Sequence, residues 1–130
     1  MSSSGETDLA VLLTAMRPEL VPGEWVYTTV GAVPIDAEPV VMVREPEGLT
    51  LVLAREDADR LGLAYGYVAA MVTLRVHSAL EAVGLTAAVA SCLGAAGLSC
   101  NVVAGFHHDH LFVPHTEASR ARDALDTLTR

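Results

Sequence analysis

Four consecutive residues, His107-His108-Asp109-His110, put three imidazoles and a carboxylate in one short stretch. Those are donors that a transition metal accepts. Their spacing works against a single centre. On neighbouring strands of a tight hairpin, His107 and His110 would lie side by side while His108 points elsewhere at the tip. One chain would then supply two ligands, and His77 or His115 would have to complete the set. The plainer reading is a polar turn whose backbone Asp109 stabilises. A second group runs from His77 to Thr86, just ahead of an apolar helical stretch. A helix N-terminus leaves N–H groups unpaired and carries partial positive charge, so it can receive a carboxylate. Gly84, without a Cβ, lets a ligand approach the backbone. Glu81 can accept an ammonium group, and Asn101 offers both a donor and an acceptor. Each has a structural alternative: a relieved turn at Gly84, a solvated charge at Glu81, local backbone support at Asn101.

Nucleophilic catalysis finds little footing. Ser78 and Ser99 lack the Gly-x-Ser-x-Gly context that exposes a hydroxyl on a sharp turn. Cys92 and Cys100 fall on inward-facing positions, where a thiol is ordinarily inert. The glycines of Gly94-Ala-Ala-Gly97 end a helix rather than open one, so they form no phosphate cradle. Trp25 and Tyr27, on one face of a strand, are more often core or interface than a stacking platform. The expectation is a non-enzyme without cofactor or resident metal.

The elements that must position these groups follow from periodicity. Leu9, Leu12, Leu13 and Met16 mark one helical face, capped by Thr7 or Asp8 and stopped by Pro18. Pro22-Gly23 predicts a turn, and Glu24 to Val30 a strand. Val33 to Pro39 is a loop. Val40–Arg44 and Thr50–Leu53 flank Glu45-Pro-Glu-Gly48 as a hairpin. Arg55 to Leu61 is a short polar helix ending at Gly62. Val72, Leu74 and Val76 alternate with Met71, Thr73 and Arg75, predicting a half-buried strand. After the loop from His77 to Val83, Leu85, Ala88, Val89, Cys92, Leu93 and Ala96 form an apolar helical stripe. Cys100, Val102, Ala104 and Phe106 alternate along a strand, His108-Asp109 is the tip of a tight turn, and Leu111 and Val113 return. Ala121, Leu125 and Leu128 make one face of a closing amphipathic helix. The second half thus reads β-α-β-β-α with its last two strands antiparallel. Its sheet lacks a closing strand, which the first half or another subunit must provide.

Composition narrows the partners. The 130 residues carry 52% apolar side chains, enough for one compact domain or two small halves sharing a core. The formal charge is −8 with 8 Lys+Arg scattered singly, which leaves no basic face for nucleic acid. Ala82 to Phe106 holds no charged residue and is long enough for a bilayer. Gly94, Gly97, Ser99 and Asn101 interrupt it, and its pattern changes from Ala-rich to β-branched, so a buried helix and strand are expected instead of a membrane span. The N-terminus has neither a positive nor an apolar region of a secretory signal. With two cysteines and no Cys-x-x-Cys, the expected location is the cytoplasm.

The segments Val72-Thr-Leu-Arg-Val-His77, Gly84-Leu-Thr-Ala-Ala-Val89, Gly97-Leu-Ser-Cys-Asn-Val-Val-Ala104 and His108-Asp-His-Leu-Phe-Val-Pro114 resemble bacterial stand-alone tandem ACT-like proteins. Leu20-Val-Pro-Gly-Glu24 and Glu47-Gly-Leu-Thr-Leu-Val52 extend the resemblance into the first half. It implies an α+β, ferredoxin-like (ACT-like) fold, with antiparallel sheets, helices on one face and two halves packed together, 1–66 and 67–130. The first half would lack the full βαββαβ order. The resemblance also implies a regulatory or sensory module for a small effector, an amino acid or related carboxylate, with no enzymatic domain attached. The expected ligand residues are His77, Ser78, Glu81, Val83, Gly84, Leu85, Thr86 and Asn101. The Asp-x-Pro-Gly turn of better-known ACT domains is replaced here by a longer loop that keeps only Gly84. Two alternatives stay open: a structural or interaction protein that forms a homodimer through its incomplete sheet, and a metal-binding protein using His107 to His110.

Overall fold

The computed structural model describes residues 8–76 and 84–129. The chain opens with α1 (Leu9–Ala15), whose first amides, Ala10 N and Val11 N, donate to the Asp8 carboxylate at 2.9 and 3.3 Å. Pro18 ends the helix and begins β1 (Pro18–Val30). A turn was expected at Pro22-Gly23, but the strand runs through it. Proline has no N–H to give a ladder, and Gly23 takes a left-handed φ of +104° within the strand. A loop over 31–40 leads to the hairpin of β2 (Val41–Glu45) and β3 (Gly48–Ala54). Its register sets Glu45 opposite Gly48, which leaves Pro46-Glu47 as the turn. From Ala54 the chain passes directly into α2 (Arg55–Arg60).

Next come β4 (Val68–Leu74), α3 (Leu85–Ala95), β5 (Asn101–Ala104), β6 (Asp109–Pro114) and α4 (Ala118–Asp126), with short 3-10 turns on either side of α4. The alternation around β4 predicted one buried face. Instead Ala69 to Leu74 are all buried, and only Arg75, beyond the strand, is exposed. The inward Thr73 is accommodated because its Oγ1 meets His110 Nδ1 at 2.9 Å, and a buried hydroxyl needs such a partner. The β5–β6 turn also differs from expectation. Ala104 pairs with Asp109, so the turn is Gly105 to His108, and Asp109 lies in β6 at 7% exposure rather than at the tip. Gly105 dictates this: its N–H donates to His108 O at 2.9 Å, and a Cβ there would lie 2.8 Å from that oxygen. Phe106, expected to point inward from the strand, is drawn into the turn and left 52% exposed.

The chain forms two compact units. One comprises the segment up to Val21 together with everything from Ala70 onward; the other is Pro22–Ala69. In the first unit the opening residues of β1 lie beside β4, followed by β6 and β5. The closing strand missing from the second half is therefore provided by the first half. Helices α1, α3 and α4 share one core with the strands: Leu12, Val89, Leu93 and Leu125 meet Val72, Leu74 and Val113, all essentially inaccessible to water. Leu85, Val89 and Leu93 fall at i, i+4, i+8, as the stripe predicted. In the second unit the order is β2-β3-β1, both pairings antiparallel, and Val26, Leu51, Leu53 and Ala58 form a smaller core.

Gly84 shows how tightly the first unit is set. It precedes α3 with φ +104°, and a Cβ on it would come within 2.9 Å of Leu9 Cδ2 from α1. Gly84→Ala therefore meets both a left-handed backbone and a neighbour. The expected loss of unfolding free energy is about 1–2 kcal/mol, read from urea denaturation. Adding Leu9→Ala should fail to restore the backbone part of that loss.

Candidate ligand site

Of the residues expected to hold a ligand, His77, Ser78, Glu81 and Val83 lie outside the described residues. Gly84 and Leu85 begin α3, with Leu85 turned into the core at 3% exposure and Thr86 exposed. No side chain among the described residues caps this helix start. Asn101 does not join that group. It is exposed and opens β5, a few residues beyond the C-terminal end of α3. Eleven helical residues span about 16 Å, so Gly84 with Thr86 and Asn101 lie by opposite ends of the helix.

The histidines are dispersed as well. His107 and His108 sit in the turn, the ring of His107 edge-on to Phe106 at 5.0 Å and 6.4 Å from the ring of His108. His110 is not beside His107; it occupies β6 opposite Val103 and meets Thr73. Among the described residues no three His, Cys, Asp or Glu side chains gather as a metal set. Burial lowers the His110 pKa from its ordinary 6.5, with the nearby His108 acting in the same direction. Burial raises the Asp109 carboxyl above its ordinary 3.8, while His110 and His108 oppose the rise.

These two shifts act on stability with opposite signs. His110 takes up its proton less readily in the folded chain than in the unfolded chain, where it does so near pH 6.5. Stability is therefore lost as pH falls from 6.5 through the lowered folded value. Asp109 binds its proton more readily when folded, so it adds stability as pH falls towards 3.8. His110→Gln should flatten the decline in Tm below pH 6.5, and Asp109→Asn should steepen it. Thermal melts from pH 7.5 to 4 provide the measurement.

A concave site that the sequence did not single out lies in the second unit. The β1–β3 ladder sets Trp25 opposite Ala54. One step further, Glu24 faces Arg55, the first residue of α2, and its Oε1 accepts from Nη1 at 3.4 Å. Arg55 Nε donates to Tyr65 Oη at 2.8 Å, and Tyr65 in turn donates to Asp59 Oδ1 at 2.6 Å. The guanidinium also lies over the Tyr65 ring, 5.5 Å from its centre. The hydrogen bond it donates to Tyr65, with Glu24 adding to the effect, raises the Arg55 pKa. Pro22 to Trp25 and Ala54, Arg55, Glu56 and Asp59 enclose a pocket of about 570 Å³. Ala54 has a small side chain and Gly23 has none, and a Cβ on Gly23 would meet open space. The indole Nε1 of Trp25 is buried and finds no hydrogen-bond acceptor among the described residues. One fixed cation, several carboxylates and an aromatic wall thus meet in a hollow large enough for a small polar molecule.

A ferredoxin-like α+β fold is shared by many small domains of differing function. The comparisons specify which one. ACT domain models match residues 4–70 and 66–127, and the chain belongs to the ACT domain family. ACT domains are typically regulatory modules for small ligands. A Vibrio cholerae protein of unknown function is 46% identical, with 94% of this chain and 96% of that one covered and a TM-score of 0.83. The regulatory subunit of aspartate kinase from Thermus thermophilus shares the fold at 9% identity, covering 89% of this chain and 99% of that one, TM-score 0.64. Escherichia coli aspartokinase III, in complex with aspartate and ADP, shares it at 13% identity, TM-score 0.65, over 88% of this chain and 34% of that chain. Among curated proteins nothing matches significantly.

Proposed function

We propose that the chain is a regulatory or sensory module that binds an amino acid in the pocket beside Arg55. The observation that carries this reading is the held guanidinium facing a hollow that also contains carboxylates. An α-amino acid presents one carboxylate and one ammonium a few ångströms apart, and it needs both signs of charge in one place. Family membership supports a small ligand. The module acts in the cytoplasm on this reading, with a small effector as its partner and neither nucleic acid nor a membrane. No helix among the described residues is long and apolar enough to cross a bilayer.

A second placement of the same ligand is the start of α3. The first amides of a helix can receive a carboxylate, which supports it. His77, Ser78, Glu81 and Val83 would contribute beside Gly84, Leu85 and Thr86. A thermal-shift series over the twenty amino acids at millimolar concentration tests the function. At least one should raise Tm by about 3–8 °C, and no response to any would overturn the amino-acid reading. Arg55→Met separates the placements: it abolishes the shift if the pocket is the site and leaves it intact if the ligand sits at α3.

Self-association is a further part of the reading. Strand β2 leaves Met42 and Val43 55% and 45% exposed, and Ile35 in the preceding loop is 97% exposed. An exposed apolar edge strand favours pairing with another chain. Light scattering should find a homodimer, and Val43→Lys should shift it towards monomer. A monomer at all concentrations would remove this part without touching the ligand.

A further inference from the structure

We infer that the pocket beside Arg55 selects basic amino acids, whose two cationic groups and one carboxylate mirror its own lining. This rests on the amino-acid reading above and names the class within it. The lining contains three carboxylates, Glu24, Glu56 and Asp59, and one guanidinium, Arg55. Its net charge is therefore −2, which repels an acidic amino acid and leaves a neutral one short of positive charge.

The arrangement of those charges assigns the ligand's ends. Arg55 is committed on one side: Nε to Tyr65 and Nη1 to Glu24, with the plane resting over the Tyr65 ring. Its Nη2 has no hydrogen bond among the described residues, and its side chain is 41% exposed, so Nη2 is the donor left for a ligand carboxylate. Glu56 and Asp59 stand three residues apart on α2 and share one helix face. Tyr65 occupies Oδ1 of Asp59, and Glu56 is exposed without a partner among the described residues. A ligand held by its carboxylate at Nη2 can reach that pair with a guanidinium or ammonium at the end of an aliphatic stem. The stem would lie along Trp25, whose ring offers apolar surface and attracts a cation over its face. The volume of about 570 Å³ accommodates such a chain with water to spare.

Tyr65 and Asp59 make the site specific rather than merely acidic. Their hydrogen-bonded relay fixes the guanidinium plane, so the free Nη2 has one direction. Without it, Arg55 would be a flexible surface cation.

Isothermal titration of the full chain against arginine, lysine, ornithine, leucine and glutamate provides the test, with agmatine and cadaverine as probes that lack the carboxylate. Basic amino acids are expected to bind at least tenfold more tightly than leucine, glutamate should not bind, and affinity should fall with salt. Glu56→Gln, an exposed change, should weaken arginine about tenfold and leave leucine unchanged. Tyr65→Phe should weaken arginine without weakening agmatine, because it loosens the guanidinium that holds the carboxylate while leaving the Asp59 oxygen it occupied open to a cation. Equal binding of leucine and arginine, unaltered by Glu56→Gln, would overturn the basic class while leaving amino-acid binding standing. Binding by no amino acid would overturn both. Circular dichroism melts of each variant confirm that a lost heat of binding is not lost folding.

Discussion

A β-strand with an open edge is the constraint from which much of this molecule follows. The second half of the chain supplies strands β4, β5 and β6 and two helices, which leaves the outer side of β4 without a partner in that half. Backbone N–H and C=O groups in a buried strand must be paired. The residues just after α1 meet the demand: Arg75 N donates to Arg17 O at 3.2 Å, Arg75 and Glu19 form an ion pair, and the opening residues of β1 lie alongside β4. With β1 drawn in, α1 is brought over the same core, where Leu9 reaches Gly84 and Leu12 is sealed from solvent. The segment before Val21 is thus a working part of the C-terminal packing unit.

The same strand then serves the other unit. Past Gly23 it pairs with β3 from Trp25 to Val30, and the end of that ladder puts Glu24 against Arg55. Because β3 enters α2 without an intervening loop, the first helical residues inherit the ladder's geometry. Charged groups on a loop would be free to wander; these are fixed by a ladder on one side and by Tyr65 on the other. The exposed ion pair itself contributes little to stability, so its regular placement is better understood as orientation of the guanidinium than as support for the fold.

The regular features of this chain were readable from residue types: the Asp8 cap, the stripe of Leu85, Val89 and Leu93, the β2–β3 hairpin, and Leu125 on the final helix. The features that escaped depend on tertiary partners. Thr73 alternates like an outward residue, yet it is buried, where its hydroxyl is hydrogen-bonded to His110, thirty-seven positions away. Pro22-Gly23 has the chemistry of a turn but lies inside β1, with Gly23 at a left-handed φ. Asp109 has the chemistry of a turn residue but lies in β6, because the close approach of Gly105 to the His108 carbonyl closes the turn one residue earlier. Asn101 and Gly84 are close in sequence terms, but a helix stands between them. The pocket was missed because Glu24, Arg55 and Tyr65 are far apart along the chain and each looks like an ordinary solvated residue. The i, i+4 pair of Arg55 and Asp59 directly after a strand was the one local hint.

The discontinuity of the first unit also bears on how the chain acquires its structure. Its N-terminal part and its C-terminal part are joined through the whole of Pro22–Ala69. Bringing Leu9 to Gly84 while that stretch is a free coil costs loop-closure entropy, although the cost grows only slowly with length. Within that stretch the β2–β3 hairpin and its pairing with β1 are local contacts, which need no closure of the long loop. Hairpins and local ladders form in microseconds, well ahead of long-range closure.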